Sequence, residues 1–311
     1  MREAIFLFNP ASGRPARRMA KINAAAGILR QGGVDVQIEA LRGAAEAPEQ
    51  ARAAVSAGFD AIIACGGDGT LHDLAQGLVG NSSSAALGVL PLGTGNVLAK
   101  NQRLPLGPAQ AAQALLRAEP RRIAVGKIEF VCDDGSGTRS RYFLLNAGAG
   151  LDAMGIYEAA ASKPRLGELA YYLSGIRLMF SYGFPMFRVE WRDAESNQLR
   201  NEQVSQCAAF RVPTLGGLAG ALTPAAGLER DDLQLILFKT RSRRKLFHYS
   251  LRHVMRAPIA TPEVELVFAR ELACTPLGDK PIYVQADGEW LGCLPARISM
   301  VPDALTLLFP R

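Results

Sequence analysis

Cys65-Gly66-Gly67-Asp68-Gly69-Thr70 stands where an apolar run, Phe59 to Ala64, stops and a helical pattern, Leu71 to Leu78, begins. An apolar run of strand length that passes through glycines into a helix reads as a strand–turn–helix unit. The three glycines leave backbone N–H groups uncovered and accept dihedrals that other residues resist. The helix N-terminus beyond adds partial positive charge. Such a turn suits phosphates, with Asp68 placed to hold a magnesium ion that bridges them. A tight strand-to-helix turn without a ligand explains the same residues, so the flanking sequence has to decide.

Outward from that turn, strand and helix patterns alternate. Ala4 to Phe8, Val34 to Ile38, Asp60 to Ala64 and Ala86 to Leu90 read as strands. Pro15 to Gln31, Ala45 to Ala57, Leu71 to Val79, Val97 to Asn101 and Ala109 to Ala118 read as helices. A βαβα series predicts an α/β domain with a parallel sheet covered on both faces, and ligands beyond the carboxyl ends of the strands. Two more turns leave such ends. Asn9-Pro10-Ala11-Ser12-Gly13 offers the Asn9 amide and the Ser12 and Gly13 N–H groups, followed by Arg14, Arg17 and Arg18 to neutralise phosphate charge. Pro91-Leu92-Gly93-Thr94-Gly95-Asn96 combines two glycines for close backbone approach with polar Thr94 and Asn96. Each also reads as a capped helix start, with Ser12, Thr94 or Asn96 as cap. Three such turns in one sheet favour a phosphate site over three coincidental caps.

After Pro120 the character changes. Arg122 to Val131, Arg141 to Asn146, Phe187 to Trp191, Gln206 to Val212, Leu233 to Lys239, Pro262 to Ala269, Ile282 to Gln285 and Ile298 to Met300 read as strands, with turns rich in Gly, Pro and Asp. That predicts an antiparallel β-sandwich or barrel. Helices are expected over Gly167 to Tyr182 and about Arg243 to Val254. The expected domains are 1–120, 121–296 and a closing segment, 297–311. Asp287-Gly288-Glu289 follows one of the strands. Two carboxylates in one turn repel unless a cation or proton lies between them, which makes them a candidate acid–base pair. Asp-Gly is equally a hairpin turn. His72, His248 and His253 show no metal-ligand spacing and read as surface or satisfied residues.

The 311 residues are 49% hydrophobic and 21% charged, as in folded globular proteins, and the length suits about two domains. The five cysteines are scattered, without a CxxC pair, so neither zinc nor a disulfide framework is indicated, and a reducing cytoplasm fits. Met1-Arg2-Glu3-Ala4 runs directly into a strand pattern, so no signal peptide is expected. A net charge of +6 is compatible with polyphosphate, anionic lipid or nucleic acid. Basic residues are not interleaved with aromatics in a nucleic-acid-reading pattern, so no nucleic-acid partner is expected.

Taken together, these residues resemble the diacylglycerol kinase catalytic-domain family of lipid kinases, which includes soluble bacterial diacylglycerol kinases and the sphingosine and ceramide kinases. The marks are Asn9-Pro10 with Ser12-Gly13, the GGDGT turn at Gly66 to Thr70, and PLGTGN at Pro91 to Asn96. Further marks are Asn146-Ala147-Gly148 with Gly150 and Asp152-Ala153, Leu166-Gly167 with Ala170-Tyr171, Gly216-Gly217 leading to Pro224, and Asp287-Gly288-Glu289. GGDGT by itself is shared with NAD kinases; the ordered series is specific.

The resemblance implies a nucleotide-binding α/β domain followed by a β-sandwich domain, with ATP in the cleft between them. The segment from about Arg297 to Arg311 would pack back toward the first domain. Asp68 would act through Mg2+ on the ATP phosphates, and Asn9, Ser12, Gly13, Gly66, Gly67, Gly69, Thr70, Gly93, Thr94 and Asn96 would line the nucleotide site. Asp287 would accept the lipid hydroxyl proton, supported by Glu289, and the γ-phosphoryl group would transfer in line. The chain departs from the family pattern at Val97, where many members carry Asp, at His72-Asp73 in place of Asn-Glu, and at Ala124-Val125-Gly126, where an Asp often precedes Leu-Gly. The structural magnesium site of bacterial members is reduced here to Arg230-Asp231-Asp232-Leu233-Gln234, leaving Asp231 and Asp232 as ligand candidates. The implied partner is a lipid at a membrane surface, with the protein cytoplasmic and peripheral at the inner membrane; sandwich edges often pair, which leaves a homodimer open. Two segments offer membrane contact: Leu166 to Phe187, and Arg241, Arg243, Arg244 and Lys245 with Arg252 and Arg256. Each also reads as a packed helix or a solvated basic face. An NAD kinase and a nucleotide- or lipid-binding regulator without catalysis stand as alternatives.

Overall fold

The apolar runs Ala4 to Leu7, Ala61 to Ala64 and Ala86 to Leu90 are buried on both sides, as inner strands of a parallel sheet between helix layers must be, while Asp35 to Ala40 forms a more exposed edge. The computed structural model describes residues 1–10, 15–80, 85–161, 182–216, 221–255 and 261–311. The chain divides into two compact units, Met1–Val125 with Pro302–Arg311, and Gly126–Val301.

The first unit contains β1 (Glu3–Phe8), α1 (Pro15–Gln31), β2 (Asp35–Ala40), α2 (Ala47–Ser56), β3 (Ala61–Gly66), α3 (Asp68–Leu78), β4 (Ala86–Pro91), α4 (Val97–Asn101) and α5 (Pro108–Leu116). Its strands run parallel in the order β2-β1-β3-β4, and the chain's closing strand joins alongside with Leu307 opposite Leu87. Every residue of β3 and β4 is buried. Ile5, Phe6 and Leu7 of β1 fill the core beside Ile62, Ile63 and Leu87, with Ile22 and Leu29 of α1 against them. Each such side chain contributes about 1.5–3 kcal/mol on leaving water. Helix α1 packs beside α5, and α2 beside α3.

The chain continues with β5 (Glu119–Val131), β6 (Thr138–Phe143), β7 (Asn146–Ala149), α6 (Leu151–Ala161), β8 (Phe187–Asp193), β9 (Leu199–Val204), β10 (Gln206–Phe210), β11 (Leu233–Phe238), α7 (Arg243–Val254), β12 (Val264–Pro276), β13 (Tyr283–Ala286) and β14 (Glu289–Phe309), all in the second unit except the start of β5 and the end of β14. The fold is a parallel α/β unit followed by an antiparallel β-sandwich-like unit. In the latter the ladder β14-β13-β7-β10-β11-β12 returns to β14, which pairs with both β13 and β12. Strands β8 and β9 extend it outward from β12. Phe143, Phe187, Trp191, Leu235 and Val284 lie in its core.

Several elements differ from the sequence expectation. Strands β12 and β14 are far longer than the runs from Pro262 and from Ile298. Gly292, Pro295 and Pro302 lie within β14, and such residues read as strand breakers when pairing partners are unknown. Strand β9, LRNEQV, is an exposed edge with almost no apolar alternation to mark it as a strand. Helix α6, LDAMGIYEAAA, is apolar around most of its circumference, so no helical period stood out. The run Arg141 to Asn146 is two strands, β6 and β7, separated at Leu144-Leu145. Ser12, Gly13, Arg14, Leu166-Gly167, Ala170-Tyr171, Gly217 and Arg256 lie outside the described residues, as does the expected helix from Gly167 up to Tyr182.

Candidate functional site

Parallel register sets Phe8 of β1 opposite Cys65 of β3, and Gly66 opposite Pro91 of β4, so three strands end side by side. A cavity of about 580 Å³ lies over these ends. Its floor is the Gly66-Gly67 turn, Leu92, Gly93 and Thr94, and Asn9 at the end of β1 joins the lining. The two glycine turns are bonded to each other: Leu92 and Gly93 both donate their N–H groups to the Gly66 carbonyl, at 2.9 and 3.2 Å. They also touch, since a Cβ on Gly93 would lie 2.5 Å from the Gly67 Cα.

One wall is cationic. Arg17, Arg18 and Lys21 of α1 line the cavity, with Arg17 and Lys21 one helical turn apart on the same face. Arg18 is 8% exposed and donates from Nη2 to the Pro10 carbonyl at 2.8 Å, which fixes it. The opposite wall is the first two turns of α3, with Gly69, Thr70 and Asp73. Lys21 and Asp73 were not among the residues expected here. The i, i+4 spacing of Arg17 and Lys21 was the available signal for the first. His72, adjacent to Asp73, is buried within α3 and does not line the cavity.

Asp68, the first residue of α3, turns its carboxylate to α4. It accepts the N–H groups of Val97 at 2.9 Å and Leu98 at 3.1 Å. It thereby caps a helix that begins 29 residues later, a role expected of Asn96 or Thr94. Asn96 instead closes its own turn, accepting from Gly93 N at 3.1 Å and donating to Gly93 O at 2.7 Å, and is not part of the cavity lining. Of the expected nucleotide residues, the cavity therefore holds Asn9, Gly66, Gly67, Gly69, Thr70, Gly93 and Thr94; Asn96 shapes the turn behind them, and Ser12 and Gly13 are not described.

In the second unit, Asp287-Gly288 is the two-residue turn of the β13–β14 hairpin, with φ of 51° and 82°. Positive φ at both positions is the type I′ turn whose twist matches paired strands, and Asp-Gly tolerates it. The Asp287 carboxylate sits in a nest of backbone amides where the chain passes from β6 to β7. Oδ2 accepts from Leu144 N at 2.7 Å, and Oδ1 accepts from Leu145 N at 2.8 Å and Asn146 N at 3.0 Å. Glu289 pairs with Arg141 at 2.5 Å. Backbone amides thus stabilise the Asp287 carboxylate, and the Arg141 guanidinium the Glu289 carboxylate.

One buried group, Gln285, braces this hairpin and another, Arg211, acts on it by charge. Gln285 is 1% exposed; its Oε1 accepts from Gly288 N at 3.1 Å and its Nε2 donates to Asp152 Oδ2 at 3.2 Å. Burial pushes the Asp152 carboxyl above its usual range, opposed by the Ala153 N–H and by Gln285. Arg211 is fully buried, and its Nη2 donates to the Leu228 carbonyl at 2.9 Å. Burial pulls it down to about 10, against the attraction of Asp287, Asp231 and Asp232. Asp232 is held by Arg230 through two bonds of 2.6 and 2.7 Å. Arg230 thus neutralises Asp232, while Asp231 acts on the buried Arg211 by charge attraction; no cluster of three His, Cys, Asp or Glu suited to a metal occurs among the described residues. No described helix is long and apolar enough to cross a membrane.

Comparison with known proteins gives this geometry a family. Residues 3–128 match the diacylglycerol kinase catalytic domain, and residues 146–309 match the YegS C-terminal NAD kinase beta sandwich-like domain. The chain is 24% identical to a diacylglycerol kinase of Bacillus subtilis (strain 168) over 315 residues, covering all of this chain and 97% of that one. It is 23% identical to the diacylglycerol kinase of Staphylococcus saprophyticus over 313 residues, covering all of this chain and 96% of the relative. A solved diacylglycerol kinase structure from Bacillus anthracis str. Sterne superposes with a TM-score of 0.70 at 17% identity, covering 99% of this chain and 96% of that one. Yeast NADH kinase complexed with NADH has the same broad fold, at a TM-score of 0.50 and 8% identity, over all of this chain and 84% of the other. With its two halves matched in order by these two models, the chain belongs to the diacylglycerol kinase catalytic-domain family of kinases.

Proposed function

We propose that this protein is an ATP-dependent lipid kinase that transfers the γ-phosphoryl group of ATP to a hydroxyl of a membrane lipid, diacylglycerol or a sphingoid or ceramide type. The observation that carries the reading is the cavity over the ends of β1, β3 and β4. It combines bare backbone at two glycine turns with three cations on α1, and among the described residues one carboxylate, Asp73, lines it. That is the complement of a triphosphate: N–H groups and positive charge, with little to repel an anion.

A magnesium ion that arrives on the nucleotide needs only one or two protein carboxylates, the phosphates and water supplying the rest. Asp73 fits as part of the lining, and Asp68 fits through the lone pairs its two amide bonds leave. The ion would spread the charge that develops on the transferring group. Asp287 is the base of the reading. The amides of Leu144, Leu145 and Asn146 fix its carboxylate in one orientation and favour its ionised, proton-accepting form. Glu289, tied to Arg141, supports the hairpin's electrostatics. The lipid acceptor would place the protein at the inner membrane surface.

The test is incubation with γ-labelled ATP and a mixed lipid extract, with the product identified by mass. A labelled phospholipid is the expected result. Label appearing only in NADP when NAD is supplied would overturn the reading in favour of an NAD kinase. Tight nucleotide binding with no labelled lipid would replace it with a regulator.

The cationic wall makes a separate prediction. Arg17 and Lys21 are exposed, so water screens each contact, and each is expected to contribute about 0.7–1.4 kcal/mol to ATP binding. Arg17→Ala and Lys21→Ala should each weaken ATP binding about three- to tenfold by calorimetry, with unchanged melting temperatures. The wild-type affinity should fall as salt rises. Unchanged affinity in the double variant would move the triphosphate elsewhere.

A further inference from the structure

Helix α7 has two faces of opposite purpose. Leu246 and Tyr249 are buried, and the Tyr249 ring meets Phe238 of β11 edge-on at 4.6 Å, which pins the helix to the second unit. The other face carries Phe247, Leu251 and Met255, exposed by 58, 45 and 70%. These are three of the seven large hydrophobics with such exposure among the described residues. They recur every fourth residue, and Met255 extends the helix by donating its N–H to Leu251 O at 2.9 Å. At about 100° per residue they occupy roughly 80° of arc. Arg243 lies about 40° to one side, Arg244 within the stripe, and His248 and Arg252 beyond it on the other side.

Water does not reward an apolar stripe, and no acidic residue lies anywhere on α7 to balance its cations. Of the helix's bases, Lys245 is partnered by Glu263 at 2.5 Å. Beside the helix a cavity of about 210 Å³ is lined by Arg244, Lys245 and His248, with Glu263, the partner of Lys245, as its carboxylate. An apolar stripe enclosed by cations is the complement of a bilayer interface: acyl chains for the stripe and phosphates for the rim.

We propose that this face of α7 seats the protein on an anionic phospholipid bilayer. The proposal rests on the kinase reading only for its purpose, the delivery of a lipid acceptor. Its test needs neither nucleotide nor turnover. The full chain is sedimented with phosphatidylcholine vesicles with and without phosphatidylglycerol. Binding is expected with phosphatidylglycerol and is expected to weaken with salt. Phe247→Ser with Met255→Ser should reduce it by about tenfold or more, and Arg244→Glu by a similar factor through one attraction lost and one repulsion gained. Melting temperature reports whether each variant folds, and the charge reversal, at an exposed position, keeps the test open if the double variant does not.

Unchanged vesicle binding in folded variants overturns the proposal. So does a wild-type dimer, seen by analytical ultracentrifugation, that these variants convert to monomers while vesicle binding stays the same; the stripe would then belong to a second copy of the chain. Vesicle binding lost in the variants while detergent-dispersed lipid gains no label would sustain the docking face and remove the kinase reading. Lipid labelling with vesicle binding indifferent to α7 would do the reverse.

Discussion

Asp287→Asn is expected to lower phosphoryl transfer by about 10³-fold, with ATP affinity unchanged because the cationic cavity belongs to the other unit. The structure adds a second consequence. The carboxylate accepts three backbone N–H bonds through both oxygens. An amide presents one carbonyl oxygen, so in its better orientation it keeps Leu145 and Asn146 and turns an NH2 toward the Leu144 N–H. One donor is left facing a donor, at a cost of about 1–3 kcal/mol. The variant should therefore unfold more easily as well as turn over slowly. The two effects separate if activity is measured well below the melting transition and expressed per folded molecule. A folded variant that keeps a tenth of wild-type turnover would leave Asp287 as a hairpin anchor and nothing more.

Gly93→Ala is expected to be nearly as damaging, for a steric reason. The new Cβ would lie 2.5 Å from the Gly67 Cα and 3.1 Å from the Gly67 N. No rotamer relieves a clash between a Cβ and backbone, so the two turns must separate. The bonds from Leu92 and Gly93 to the Gly66 carbonyl stretch with them. Overpacking of this kind costs about 1–3 kcal/mol, and the floor of the cavity is lost, so ATP binding should fall by about a hundredfold or more. Gly69→Ala is the internal control for the backbone argument. A Cβ there meets nothing within 4 Å, and Gly69 lies in the first turn of α3, where alanine is the better helix former. Its melting temperature should equal or exceed that of the wild type, measured by calorimetry. Equal melting and equal ATP affinity for Gly93→Ala would show that the two turns are not packed as described.

The parallel half of the molecule was largely legible because its information is local. Each strand is a short apolar run, each helix has its period, and each glycine turn lies where one gives way to the other. The first α/β unit therefore follows its pattern from β1 to α5. The antiparallel half was less legible. Strand β14 contains Gly292, Pro295 and Pro302, and it remains a strand because β13, β12 and β4 lie alongside it. Strand β9 has no apolar alternation and is held as an edge by β8. Pairing across such distances leaves no periodic trace in either partner.

The site divides in the same way. Sequence by itself determined which residue types are present: the glycine turns, the acid in each unit, and the arginines on α1. Tertiary structure alone decided what each does. Asp68 became the cap of α4, Asn96 the clasp of its own turn, Lys21 and Asp73 part of the cavity lining, and Arg211 the buried counter-charge near Asp287. The physical reason is that a polar atom's role depends on which donor or acceptor comes within about 3 Å. For Asp287 those donors lie more than 140 residues away in the chain.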